Sequence, residues 1–155
     1  MDFKKWLERN ALSLKCKPRT QRASYIEFFE SEFKGDKIPE FKRGEIYFAK
    51  LTESAKTRPF LIYQNDFLNR ACFEGLYHTV VVLPLSGQIL GGDYRIFIPK
   101  RDNMTKDSEI VATAIGIIST GKIIFSKGTL TKLTSDEMEK VDLAVKKVLG
   151  MKNAI

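Results

Sequence analysis

The sequence predicts a mainly β domain with flanking helices (α+β), built on a small sheet that closes or nearly closes into a barrel. Three observations carry that expectation. Short runs rich in β-branched and aromatic residues succeed one another between residues 44 and 126, separated by Gly, Asn, Asp and Ser. Segments before and after these runs carry apolar residues at helical spacing instead. The chain has 155 residues, 43% hydrophobic and 29% charged, enough to bury a core without disulfides or metals.

Residues 1–40 read as an N-terminal helical extension, and residues 41–155 as the barrel domain. Phe3, Trp6, Leu7 and Leu14 share one helical face, and Tyr25, Ile26, Phe29 and Phe33 repeat the spacing. Ser24 with Glu27 can cap the second helix, and Gly35 can end it. Between them KCKPRTQR (15–22) contains Pro18 and the densest positive run, which suits a solvated connector more than a nucleic-acid arm. The expected strands are GEIYFAKL (44–51), RPFLIYQ (58–64), LYHTVVVLPL (76–85), YRIFIP (94–99), EIVATAIGI (109–117) and KIIFS (122–126). A closing helix follows, with Thr134 and Glu137 as a capping box, an apolar stripe of Met138, Val141, Val145, Val148 and Leu149, and Gly150 as its stop.

Several function classes fall away at this level. The apolar runs, such as TVVVLPL (79–85), are too short to cross a bilayer, and MDFKKWLERN lacks the apolar core of a signal peptide. Cys16 and Cys72 form no CxxC, and with His78 as the one histidine no zinc set arises. No metal and no other cofactor is expected, and the thiols suit a cytoplasmic protein. Lys and Arg number 26 against 19 Asp and Glu, a net charge of +7. That excess suits a polyanionic partner, since phosphate contacts supply most sequence-independent affinity for nucleic acid, and equally a basic solubilising surface.

From residue 42 onward the order of motifs resembles the MazF/PemK family of toxins. FKRGEIYFAKL (41–51) is similar to the family's opening strand, and TRPFLIYQNDFLNR (57–70) to its second strand with Arg-Pro at the start. VVVLPLS (80–86) is similar to the strand ending in Pro, an aliphatic residue and Thr or Ser, and GTLTKLTSDEMEKVDLAVKKVLG (128–150) to the closing segment. The resemblance implies an SH3-like small β-barrel of the MazF/PemK/CcdB kind, usually a homodimer. It further implies a type II toxin–antitoxin component that cuts single-stranded RNA without a metal and is held silent by a cognate, acidic antitoxin. Two stretches depart from the pattern. TESAKT (52–57) is shorter than the family loop, and Thr113, Ala114, Gly116 and Ser119 stand where relatives usually carry an Asp-Gln pair, then an Arg and another Asp.

By the same resemblance the catalytic pair is Arg58 and Ser86. Cleavage of this type uses the 2′-hydroxyl of the RNA as nucleophile and yields a 2′,3′-cyclic phosphate. The protein must then align sugar and phosphate and stabilise charge on the phosphorane oxygens. A guanidinium offers a charged planar fork that matches phosphate oxygens, and Pro59 would stiffen the chain behind it. Gly87 leaves the Ser86 hydroxyl accessible. Taken singly, Arg58 is as well a strand-end ion pair and Ser86 a turn residue. Lys56, Thr57 and Arg95 are further candidates for backbone phosphates, and Tyr94 for stacking a base. His78 is expected to pack in or on its strand. The competing expectation is a non-catalytic, CcdB-like toxin or an RNA-binding module on the same barrel, favoured by the departure at 111–120.

Overall fold

The computed structural model describes residues 38–152. The helices expected before residue 38, and the connector between them, lie outside the described residues.

Local signals start the first hairpin. Gly44 adopts φ +90°, which an L side chain rarely adopts, and its N–H donates to the Ile62 carbonyl at 2.9 Å. Strand β1 (Glu45–Ala49) then pairs antiparallel with β2 (Arg58–Ile62). After β2 the chain turns into helix α1 (Asp66–Phe73), capped by the Asn65 side chain, which accepts from the Leu68 N–H at 2.9 Å. Strand β3 (Thr79–Ser86) is the longest and sits in the middle, followed by β4 (Arg95–Ile98) and β5 (Ser108–Val111). Then come β6 (Gly116–Ser119), β7 (Thr129–Lys132) and helix α2 (Ser135–Val148). The sheet runs β4-β5-β3-β2-β1-β7, with β6 also on β3, and every strand pair is antiparallel.

Registry explains the core. Ile46 faces Leu61, which faces Leu83, and this row is fully buried. It packs in one cluster with Val141, Ala144 and Val145 of α2. The other face of the same strands buries Phe60, Ile62, Val80 and Val82. The sheet is thus covered on both sides, and its curl leaves β4 and β7 as edges. The loop after β4 spans that seam: Asn103 donates from its backbone to the Leu130 carbonyl at 3.0 Å and from its side chain to the Thr129 carbonyl at 3.2 Å. The result is a half-barrel of curled antiparallel sheet with two helices among the described residues, mainly β as the sequence predicts.

Three expectations need correcting. The run 109–117 is not one strand. Leu85 pairs with Ile110 whereas Val82 pairs with Gly116, so three steps along β3 correspond to six along the partner. The 3-10 turn Ala112–Ala114 absorbs the surplus, and β5 and β6 share β3 end to end. KIIFS forms no strand: 3-10 turns at Thr120–Lys122 and Phe125–Lys127 interrupt it, leaving an isolated bridge between Ile123 and Ala49. In α2 the capping box is present and Gly150 takes φ +67°, but Leu149 is 55% exposed and Ala144 takes its place in the buried stripe.

Candidate functional site

Arg58 is the first residue of β2, backbone-paired with Ala49, and its side chain is exposed. The β2–β3 ladder carries Phe60 opposite Pro84. Continued two residues, that register sets Arg58 opposite Ser86, and residues opposed in an antiparallel pair project on the same face. The ladder itself stops at Phe60 and Pro84, and a cleft of about 370 Å³ opens at these strand ends, with Arg58, Pro59, Leu85 and Gly87 on its walls. Lys56 and Thr57 also line it, and Phe48, Met104 and Leu130 give it an apolar side.

Ser86 stands between two lining residues, half-buried, and alternation turns its side chain away from the face of Leu85. Its Oγ accepts the Gln88 N–H at 3.2 Å, which leaves its own O–H free to donate. No carboxylate and no imidazole among the described residues lines the cleft. Among the described residues Arg58 and Lys56 have no acidic partner. Two unneutralised cations beside an open cleft form a ready anion site.

Arg95 and Tyr94 sit elsewhere. The Arg95 guanidinium is ion-paired to Glu109 and donates to the Gln88 carbonyl at 2.8 Å, so it anchors the loop after Ser86 instead of lining the cleft. Glu109 is buried and also accepts the N–H groups of Gly91 at 2.8 Å and Leu90 at 3.2 Å. The hydrogen bond from Arg95, helped by those two N–H groups, holds its carboxyl below the usual carboxylate value, against the opposing effect of burial. Tyr94 is exposed and outside the cleft wall. Phe97 is a better-placed aromatic. Ser86 pairs with Glu109, which pairs with Phe97, so this 51%-exposed ring lies on the serine's face. His78 precedes β3 at its opposite end, eight residues from Ser86, about 26 Å along an extended strand. Burial pushes its pKa down. Cys72 is buried, which raises its thiol pKa, and no cluster of potential metal ligands occurs among the described residues.

The Arg43-Gly44 pair carries architecture. Arg43 donates to Asp142 at 2.6 Å and to the Tyr63 carbonyl, and its guanidinium lies 4.6 Å from the Tyr63 ring. The Tyr63 hydroxyl donates to the same Asp142 oxygen at 2.7 Å, and burial together with that carboxylate pushes its pKa up to about 12. This knot ties the start of β1 and the end of β2 to α2. Sequence reasoning passed over Lys106, Thr105 and Ser108, which complete the cleft wall. They lie in RDNMTKDSE, which reads as a polar loop and carries no local sign of lining a cleft.

The curled antiparallel half-barrel with its terminal helix has the fold of the MazF/PemK toxins. The model of the PemK-like, MazF-like toxins of type II toxin–antitoxin systems matches residues 42–149, well over half of the chain, and the protein belongs to that family. No curated protein sequence matches the chain. Among solved structures it is similar to a mycobacterial endoribonuclease in complex with its cognate antitoxin, at 21% identity and a TM-score of 0.60, covering 74% of this chain and 99% of that one. An endoribonuclease from a mycobacterial species matches at 20% identity and a TM-score of 0.60, over 77% and 100%. A MazE–MazF structure from Deinococcus radiodurans matches at 13% identity and a TM-score of 0.56, over 74% and 100%. At these identities the likeness establishes the fold.

Proposed function

We propose that the protein is the toxin of a toxin–antitoxin pair and acts as a metal-independent endoribonuclease on single-stranded RNA, with Arg58 and Ser86 as its catalytic residues. The observation that carries this reading is Arg58, exposed and free of any acidic partner among the described residues, on the wall of a cleft at the start of β2, beside the end of the antiparallel β3 where Ser86 lies. Family membership and the names of two structural neighbours, both endoribonucleases, support it.

In the reaction the 2′-oxygen forms a bond to the adjacent phosphorus while the bond from phosphorus to the 5′-oxygen breaks. The 2′-hydroxyl proton is lost to water, and the leaving 5′-oxygen gains one. Arg58 donates to the non-bridging oxygens as their charge builds, and the Ser86 O–H holds the sugar–phosphate unit in line. Among the described residues no imidazole or carboxylate lines the cleft, and Glu109, the carboxylate paired across from Ser86, is held by Arg95 and two backbone N–H groups, so we assign no residue as the base. Lys56 and Thr57 contact flanking backbone, and Phe97 offers a face for stacking a base. A homodimer and an acidic cognate antitoxin that competes for the basic cleft complete the proposal. No helix among the described residues is long and apolar enough to cross a membrane, consistent with a cytoplasmic site of action.

The same missing base favours a second reading, a CcdB-like toxin or RNA-binding module that binds without cutting. Incubating the protein with a mixed RNA pool and sequencing the new ends separates the two. Discrete cut sites, lost in Arg58→Ala, support the nuclease; retained binding with intact RNA supports the binder.

A further inference from the structure

Lys106 is the third cation on the cleft, and its position is the most specific feature of the wall. A Cβ built on Gly87 would lie 2.3 Å from both Cε and Nζ of Lys106. The lysine therefore crosses the one position after Ser86 that has no side chain. No ion pair engages it among the described residues, and Thr105 and Ser108 stand beside it on the wall.

The loop that carries Lys106 is pinned on both sides. Before it, Arg101 donates to the Glu137 carboxylate at 2.7 and 2.9 Å and to the Thr131 hydroxyl at 3.1 Å. Within it, the Met104 N–H donates to the Arg101 carbonyl at 2.9 Å, and the Lys100 N–H to Asp107 at 2.7 Å. An ammonium on a pinned loop, lining the same cleft as Lys56 and Arg58 and in no ion pair among the described residues, adds to a positive potential that an anion would neutralise.

We propose that Lys106, with Lys56, holds a second phosphate of a bound single strand, next to the one at Arg58. Gly87 and Lys106 line the cleft whereas Ser86 does not, so the ammonium over Gly87 meets a different phosphodiester from the one Ser86 touches. Lys106 thus binds and positions the strand; the bond-making phosphate belongs to Arg58 and Ser86. The inference rests on the nucleic-acid reading of this cleft but not on cleavage.

Two variants of the full chain test it, Lys106→Met and Gly87→Ala. The alanine leaves every charge in place, has no left-handed backbone to strain, and displaces only the flexible tip of Lys106. The probe is a fluorescent single-stranded DNA, which lacks the 2′-hydroxyl and stays uncut, titrated by anisotropy across a salt series. Both variants should melt like the wild type and bind severalfold more weakly. Lys106→Met should flatten the plot of log affinity against log salt by about 0.7, the share of one phosphate on a single strand. On cleavable RNA the loss should appear as a raised KM, unlike the fall in kcat expected for Arg58→Ala. A wild-type salt slope in Lys106→Met overturns the inference even if RNA is cut. Wild-type protein that binds no single strand overturns it as well, whereas uncut RNA with a Lys106-dependent slope removes the nuclease reading alone.

Discussion

Replacing Arg58 by alanine separates chemistry from folding, because the structure assigns its side chain nothing structural to do. Its backbone stays paired with Ala49 in the β1–β2 ladder, and the side chain is exposed with no ion pair. Surface changes of that kind alter stability by no more than about 0.5 kcal/mol. The catalytic cost follows from the proposed role: a single donor aimed at developing oxyanion charge is worth roughly 100- to 1,000-fold in rate, about 2.7–4 kcal/mol. Arg58→Lys keeps the charge and loses the planar fork, so its rate should fall between those of the wild type and the alanine variant. Single-turnover cleavage of a fluorogenic RNA gives the rate, and a denaturant melt of the same samples gives the stability. An alanine variant that cuts within a few-fold of wild type, or that loses activity only in proportion to lost stability, would refute the assignment.

Acid should loosen the loop after Ser86. Glu109 is held below its ordinary pKa of 4.5 chiefly by Arg95, so its contribution is complete above that value and is lost as pH falls through the depressed one. Melting followed from neutral pH downward should show this loss in the wild type and less of it in Glu109→Gln; equal acid slopes would contradict the role given to the pair. Leu83 is fully buried between β2 and the α2-facing core, and Leu83→Ala should cost about 2–5 kcal/mol in a denaturant melt, with a smaller loss showing that the core collapses around the gap.

Elements with local signals were legible in the sequence. β-branched runs marked β1 to β4 and part of β5, and the Thr134–Glu137 box marked α2 to within a residue. Helix α1 escaped because its eight residues are short and half polar, although Asn65 before Asp66 is a capping signal. The split of 109–117 escaped because a single apolar run cannot reveal that β3 is long enough to pair with two successive strands. At the site, motif order singles out Arg58 and Ser86, which stand at the start of β2 and the end of the neighbouring antiparallel β3. The fates of Arg95 and Lys106 could not be read locally. Arg95 is consumed by Glu109, fourteen residues on, and Lys106 meets Gly87 just past the end of the β3–β5 ladder, a pairing of distant segments.

The most direct test of the central claim is the chemistry of the cut ends. Wild-type protein incubated with RNA in EDTA, its fragments weighed by mass spectrometry, should give 2′,3′-cyclic phosphates facing 5′-hydroxyls, and a 2′-O-methyl group at the cut position should block the reaction. Intact RNA, or fragments ending in 3′-hydroxyl and 5′-phosphate, would contradict the attack by the substrate's own 2′-oxygen beside Arg58.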